Sequence, residues 1–182
     1  MTTAMRKTAL AMVAKGKGIL AADESTGTIE KRFKTINTEC TEPNRRAYRD
    51  MLFTGKGVEN HISGVILYDE TLRQKSLSGV PFPQLLAGMG VLPGIKVDTG
   101  AKDLAFCPGE KVTEGLDGLA KRCAEYAKMG AKFAKWRAVI TIGRDMPSTT
   151  CIAANAHALA RYAAICQEAG IVPIVEPEVL MD

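Results

Sequence analysis

The chain has 182 residues, of which 46% are hydrophobic and 24% charged, with a formal net charge of +4. That length suits one substantial core rather than two domains, and the charge is too small and too interleaved with acids to form a nucleic-acid stripe. Five scattered cysteines and only two histidines argue against a disulfide framework or a zinc cluster, and no apolar run approaches membrane-spanning length.

In chain order, the N-terminus reads as an amphipathic surface helix stopped at Gly16, in preference to an organellar presequence. Gly18–Ala22 is a short buried strand that ends in Asp23-Glu24-Ser25-Thr26-Gly27-Thr28, a polar turn before a helix over Ile29–Ile36. Asn44–Thr54 is a second amphipathic helix, Gly64–Tyr68 a second buried strand, and Asp69 and Glu70 are acids at a helix start. A short helix over Gln84–Gly88 leads to a third strand, Pro93–Asp98, with Lys96 inside it. Ala101–Glu110 reads as irregular, and Thr113 as the cap of a helix running to Met129. The fourth strand lies in GAKFAKWRAVITIG, Gly130–Gly143. Ser148 caps a long helix stopped by Gly170, and Ile171–Val175 is a fifth strand followed by Glu176-Pro177-Glu178.

Strands alternating with helices specify a parallel α/β sheet, either doubly wound or a (β/α)8 barrel. Gly88-Met89-Gly90 precedes a strand and has the wrong spacing for a dinucleotide fingerprint. Thr54-Gly55-Lys56-Gly57 has no Ser or Thr after its lysine and fails as a phosphate loop. Charged residues recur at or inside the ends of strands one, three, four and five, namely Asp23, Lys96, Lys135 with Arg137, and Glu176. A barrel gathers such groups at one face, so the reading is a (β/α)8 TIM barrel, incomplete here with strands 1–5 of 8, as one domain over residues 1–182.

Lys135 and Arg137 share a strand face, so two cations lie side by side in an otherwise apolar stretch. Buried cations need anionic partners, either carboxylates on neighbouring strands or a ligand. Arg137 alone would press Lys135 towards neutrality, while Asp23 and Glu176 could move protons. Taken singly, Lys96 reads as an edge lysine, Asp23 as a helix cap and Glu176 as a loop acid. Only their recurrence at equivalent strand ends supports a site, one suited to a phosphorylated polyhydroxy carbonyl compound. His157 reads as solvated and Trp136 as packing on the face opposite Lys135.

The stretches GKGILAADESTGTIEKRF (Gly16–Phe33), GVILYDETLRQKS (Gly64–Ser76), GVLPGIKVDTG (Gly90–Gly100) and NAHALARYAAICQEAGIVPIVEPEVL (Asn155–Leu180), with the motifs AADEST, FAKWR and PIVEPE, resemble class I fructose-1,6-bisphosphate aldolase. The resemblance covers nearly the whole chain and is to the N-terminal half of a eukaryotic-type enzyme. It implies a lyase of glycolysis and gluconeogenesis that works through a lysine Schiff base, with no cofactor and no metal, in a cytoplasmic protein that is typically a homotetramer. It further implies that Asp23 orients the nucleophile and that Glu176 shuttles protons, backed by Glu178. Lys135 would hold substrate, and Ser25, Thr28, Lys96 and Arg137 would take the C6 phosphate, with Arg32 and Arg45 as further substrate contacts.

Thr99 stands where a lysine is usual, and Arg144–Met146 fall in a variable loop. The Schiff-base lysine is expected on a sixth strand beyond Asp182. The chain is therefore expected to be inactive alone and, with the first and fifth strands as open edges, to fold poorly or self-associate. The alternative is a non-catalytic fragment that binds phosphosugars or partner proteins. Expected partners are small sugar phosphates, with no nucleic acid and no membrane.

Overall fold

The computed structural model describes residues 2–181. Helix α1 (Thr3–Met12) is capped by Thr2, whose side chain accepts from the Met5 N–H, and the chain then turns through Gly16 into β1 (Gly18–Ala22). Helices α2 (Thr26–Lys34), α3 (Glu42–Phe53) and α4 (Val58–His61) precede β2 (Ile62–Leu67). Next come α5 (Asp69–Arg73), α6 (Phe82–Gly88) and β3 (Leu92–Lys96). A hairpin of β4 (Gly100–Asp103) and β5 (Lys111–Glu114) leads to α7 (Leu119–Lys128), β6 (Phe133–Ile140), α8 (Thr149–Glu168) and β7 (Val172–Val179).

Five strands form one wholly parallel sheet in the order β1-β2-β3-β6-β7, so each strand lies beside its predecessor in the sheet. This is the α/β architecture expected from strands that alternate with helices. The antiparallel β4–β5 hairpin forms a separate two-stranded sheet that packs beside β6.

Three readings are corrected. Thr113 caps no helix. It pairs with Ala101 inside β5, its hydroxyl donates to the Arg137 carbonyl at 2.7 Å, and the stretch read as irregular carries β4. Helix α7 starts only at Leu119, because Gly115 (φ +129°) and Gly118 (φ +66°) adopt conformations that a right-handed helix cannot contain. The fifth parallel strand continues past Val175 to Val179, so Glu176 and Glu178 lie within it. The prolines do not prevent this. Val172 donates its N–H to the Lys132 carbonyl just before β6, and Leu180 donates to the Ile140 carbonyl at its end. By the alternation of a strand the backbone of the odd-numbered residues, Pro173 and Pro177 among them, faces the open side of an edge strand.

The two sheet faces are buried differently. Leu67, Ile95, Ala134 and Trp136 point into a large core shared with Phe82, Leu119, Cys123, Leu159 and Tyr162 of the helices. Tyr162 joins the seam, donating to the carbonyls of Ala134 on β6 and, more distantly, Ile174 on β7 at 2.7 and 3.1 Å, with its ring 5.5 Å from that of Trp136. On the opposite face, Phe133, Ile66 and Val172 pack under Met5 and Met12 of α1. Fully burying each such side chain contributes about 2 kcal/mol. Gly64 and Gly94 make room for the Phe133 ring, since a Cβ on Gly94 would lie 2.3 Å from it and one on Gly64 2.8 Å. The lower part of this second face is thus filled with apolar groups, and its upper part is left open.

Candidate functional site

The open part is a cavity of about 570 Å³ at the C-terminal ends of the strands. Residue alternation aims side chains there. Register pairs Lys96 with Lys135 and Arg137 with Glu176, so these four side chains share a face with Phe133. Asp23 follows β1 by one residue, on the side of Ile19 and Ala21. One turn on, Ser25 caps α2. Its side chain accepts from the Thr28 N–H at 3.4 Å, and the two hydroxyls lie 3.1 Å apart. The α2 N-terminus therefore opens on the cavity with its unpaired N–H groups and partial positive charge.

The embedded cations meet carboxylates. Lys135 Nζ lies 3.6 Å from Asp23 Oδ2 and 3.4 Å from Glu176 Oε1, bridging β1 and β7 across the face of the sheet. Arg137 holds Glu178 through two nitrogens, Nη2 donating to Oε1 at 2.9 Å. The hydrogen bond from Arg137 brings the Glu178 carboxyl below the usual range, against the opposing pull of burial. Lys96 is paired with Asp98, whose carboxylate also accepts from the N–H groups of Gly100 (3.1 Å) and Arg137 (3.3 Å). Each of the two neighbouring cations of β6 thus has its own carboxylate partners, Asp23 and Glu176 for Lys135 and Glu178 for Arg137.

Asp23, Ser25, Thr28, Arg32, Lys96, Lys135, Arg137 and Glu178 line the cavity, and Glu176 reaches it through Lys135. Arg32, at the rim, is paired with Glu24. Arg45 stands apart. Its guanidinium is committed to Glu70 at 2.8 and 2.6 Å and to the Cys40 carbonyl, and it does not line the cavity. Sequence reasoning passed over Asp98, although its place two residues after Lys96 puts both on one strand face. It also passed over Glu24, Tyr68 and Arg49. Arg49 is fully buried, donating to the carbonyls of Ala22 and Glu24 at 2.9 Å each, and so fixes the backbone on either side of Asp23. Burial pulls its guanidinium below the ordinary value, against the attraction of Glu24.

A cavity with four paired cations, two hydroxyls at a helix N-terminus and carboxylates able to exchange protons suits an anionic, hydroxylated ligand. The sequence model of the family described as Glycolytic: Fructose-bisphosphate aldolase class-I matches residues 4–182. The chain belongs to the class-I fructose-bisphosphate aldolase family. This aldolase chain is 64% identical over 178 residues to a "probable fructose-bisphosphate aldolase class 1" of Xylella fastidiosa, covering 98% of the chain and 53% of that protein. It is 61% identical over 176 residues to the cytosolic fructose-bisphosphate aldolase 5 of Arabidopsis thaliana, covering 97% of the chain and 49% of that protein.

Among solved structures it superposes with a TM-score of 0.95, at 53% identity, on a fructose-bisphosphate aldolase from Plasmodium falciparum in complex with TRAP and a small-molecule inhibitor. The match covers 98% of this chain and 52% of that one. The aldolase chain thus spans about half the length of the curated relatives it matches, and such relatives occur in bacteria as well as plants. Among the described residues, no helix is long and apolar enough to cross a membrane.

Proposed function

We propose that this chain supplies the phosphate-holding and proton-transfer part of a fructose-1,6-bisphosphate aldolase. The enzyme would cleave its substrate reversibly to dihydroxyacetone phosphate and glyceraldehyde 3-phosphate through a lysine iminium. The observation that carries the proposal is Lys135 between Asp23 and Glu176 at the mouth of the parallel sheet, in a chain of this family. In this reading the five parallel strands are the first five of eight in a barrel, and the amine that forms the iminium comes from outside these residues.

Asp23 orients that amine and the C4 hydroxyl. Glu176 carries protons to and from the carbinolamine, with Lys135 lowering the cost of its changing charge. Ser25, Thr28, Lys96 and Arg137 take the C6 phosphate, and Glu178 keeps Arg137 aimed at it. Arg32 exchanges Glu24 for substrate at the rim, and Arg45 acts indirectly by fixing Glu70. The plant relatives described as cytosolic support the cytosol as its compartment.

The pairing of Lys96 and Lys135 with carboxylates favours a second reading for the chain by itself, in which it binds phosphosugars without turnover. Incubation with dihydroxyacetone phosphate and borohydride, followed by peptide mass spectrometry, tests where the iminium forms, and calorimetry tests the phosphate site common to both readings. The expected result is no adduct on Lys135 or Lys96, with phosphate binding measured calorimetrically and lost in Lys96→Ala and Arg137→Ala. An adduct on either lysine overturns the assignment of the iminium to an amine outside the chain. Undiminished binding in both variants overturns the phosphate site.

A further inference from the structure

The odd number and wide spacing of the cysteines suggest five independent thiols. The fold brings two of them together. Cys123 on α7 and Cys166 on α8, 43 residues apart in sequence, are both fully buried, and their sulfur atoms lie 3.8 Å apart. The other three are placed differently. Cys40 and Cys107 are partly exposed, and Cys151 donates to the Lys111 carbonyl at 3.6 Å.

We propose that Cys123 and Cys166 are an oxidisable dithiol, which a hydroperoxide converts to an intrachain disulfide tying α7 to α8. A disulfide needs its sulfurs about 2.05 Å apart, so closure requires the two sulfur atoms to approach by less than 2 Å. The two thiols are not equivalent. Hydrogen bonding from Cys166 holds the Cys123 thiol below its ordinary range, with the positive charge of Arg122 acting in the same sense. Its role as donor to Cys123, and then burial, push Cys166 up.

The product is the same whichever sulfur attacks first; the step begins here at Cys123. Its thiolate takes one peroxide oxygen and the O–O bond breaks. The departing hydroxide recovers the Cys123 proton as water, leaving a sulfenic acid. Cys166 then attacks that sulfur, the S–O bond breaks, and the second hydroxide leaves with the Cys166 proton as a second water. Two thiols are oxidised to one disulfide, and one hydroperoxide is reduced. Hydrogen peroxide is little larger than water and reaches the pair during local opening of α7. Both cysteines belong to the core cluster that includes Ala134 and Trp136, on the face of β6 opposite Lys135 and Arg137, so the closed link restrains the helices behind the cavity.

The test is graded oxidation of the full chain with hydrogen peroxide, alkylation of remaining thiols after unfolding, and non-reducing peptide mapping. The expected result is a linked pair of peptides containing Cys123 and Cys166, reversed by dithiothreitol, while Cys151 stays alkylatable. In Cys166→Ser the linked pair is absent and Cys123 stops at singly oxidised or reduced forms. Cys123 and Cys166 still free at peroxide concentrations that oxidise Cys40 or Cys107 would overturn the proposal. So would pairing spread indiscriminately over all five cysteines.

Discussion

Lys135 Nζ lies 3.4 Å from Glu176 Oε1 although the two residues are not register partners, since Lys135 pairs with Ile174 and Arg137 with Glu176. Arg137 repeats the pattern by holding Glu178, the register partner of Val139. Each cation of β6 therefore takes the carboxylate one step further up β7, a diagonal within reach of long side chains. The offset leaves Lys135 free to lean towards Asp23 on the far strand of the sheet.

Removing that cation strands two carboxylates. Lys135→Met should destabilise the chain by about 2 kcal/mol, below the range for fully buried pairs because Glu176 is partly exposed. Adding Glu176→Gln should restore part of the loss. Urea midpoints at unchanged slope measure this. A Lys135→Met midpoint equal to wild type would show that the three groups do not interact.

The Arg45–Glu70 pair gives a pH signature. The hydrogen bonds from Arg45 lower the Glu70 carboxyl from its ordinary 4.5, with burial opposing. A depressed folded-state value means that the pair's contribution is present above 4.5 and is lost as the pH falls through the lower folded value. Wild type should therefore be more stable than Glu70→Gln at neutral pH, by about 1 kcal/mol for a pair this accessible. The gap should close as the pH is taken well below 4.5. A gap that stays constant with pH in denaturant titrations would remove Glu70 as its source.

Gly94→Ala tests how the filled half of the sheet face sets up the open half. Its Cβ would meet the Phe133 ring at 2.3 Å in a fully buried site, so a loss of about 3 kcal/mol is expected. Gly94→Ala with Phe133→Leu should recover much of it. Thermal melts of the two variants decide this, and no recovery in the double variant would place the strain elsewhere.

The alternation of strands and helices was legible because the parallel strands carry apolar runs with a glycine at or near the start, as in β1, β2 and β7. The site was legible because Lys96, Lys135 and Arg137 are charges inside such strands. Long-range pairing was not. Nothing local marks Glu178 as the partner of Arg137, because that depends on the β6–β7 register. Pro177 reads as a strand terminator until the strand is known to be an edge. The β4–β5 hairpin was hidden because charged Lys102, Asp103, Lys111 and Glu114 obscure any hydrophobic alternation. Arg49 reads as a surface charge on an amphipathic helix, and only the Ala22 and Glu24 carbonyls of the β1–α2 turn explain its burial.

Strand β7 closes one side of the sheet with an apolar edge. Val175 and Val179 are 50% and 42% exposed, and an apolar groove of about 380 Å³ runs between β7 and α8, lined by Val175, Pro177, Ile152 and Leu159. The outward N–H of Val175 and the carbonyls beside it form a row ready to pair with another strand, and the valines place apolar surface next to that row. The chain made alone should therefore self-associate, with a sedimentation coefficient that rises with concentration. Val175→Lys with Val179→Lys puts charge along the edge at little cost to the fold, because neither side chain is fully buried, and should shift the population towards monomer. A wild-type chain that sediments as a single monomer at every concentration and melts in one sharp transition would show that this edge is already protected.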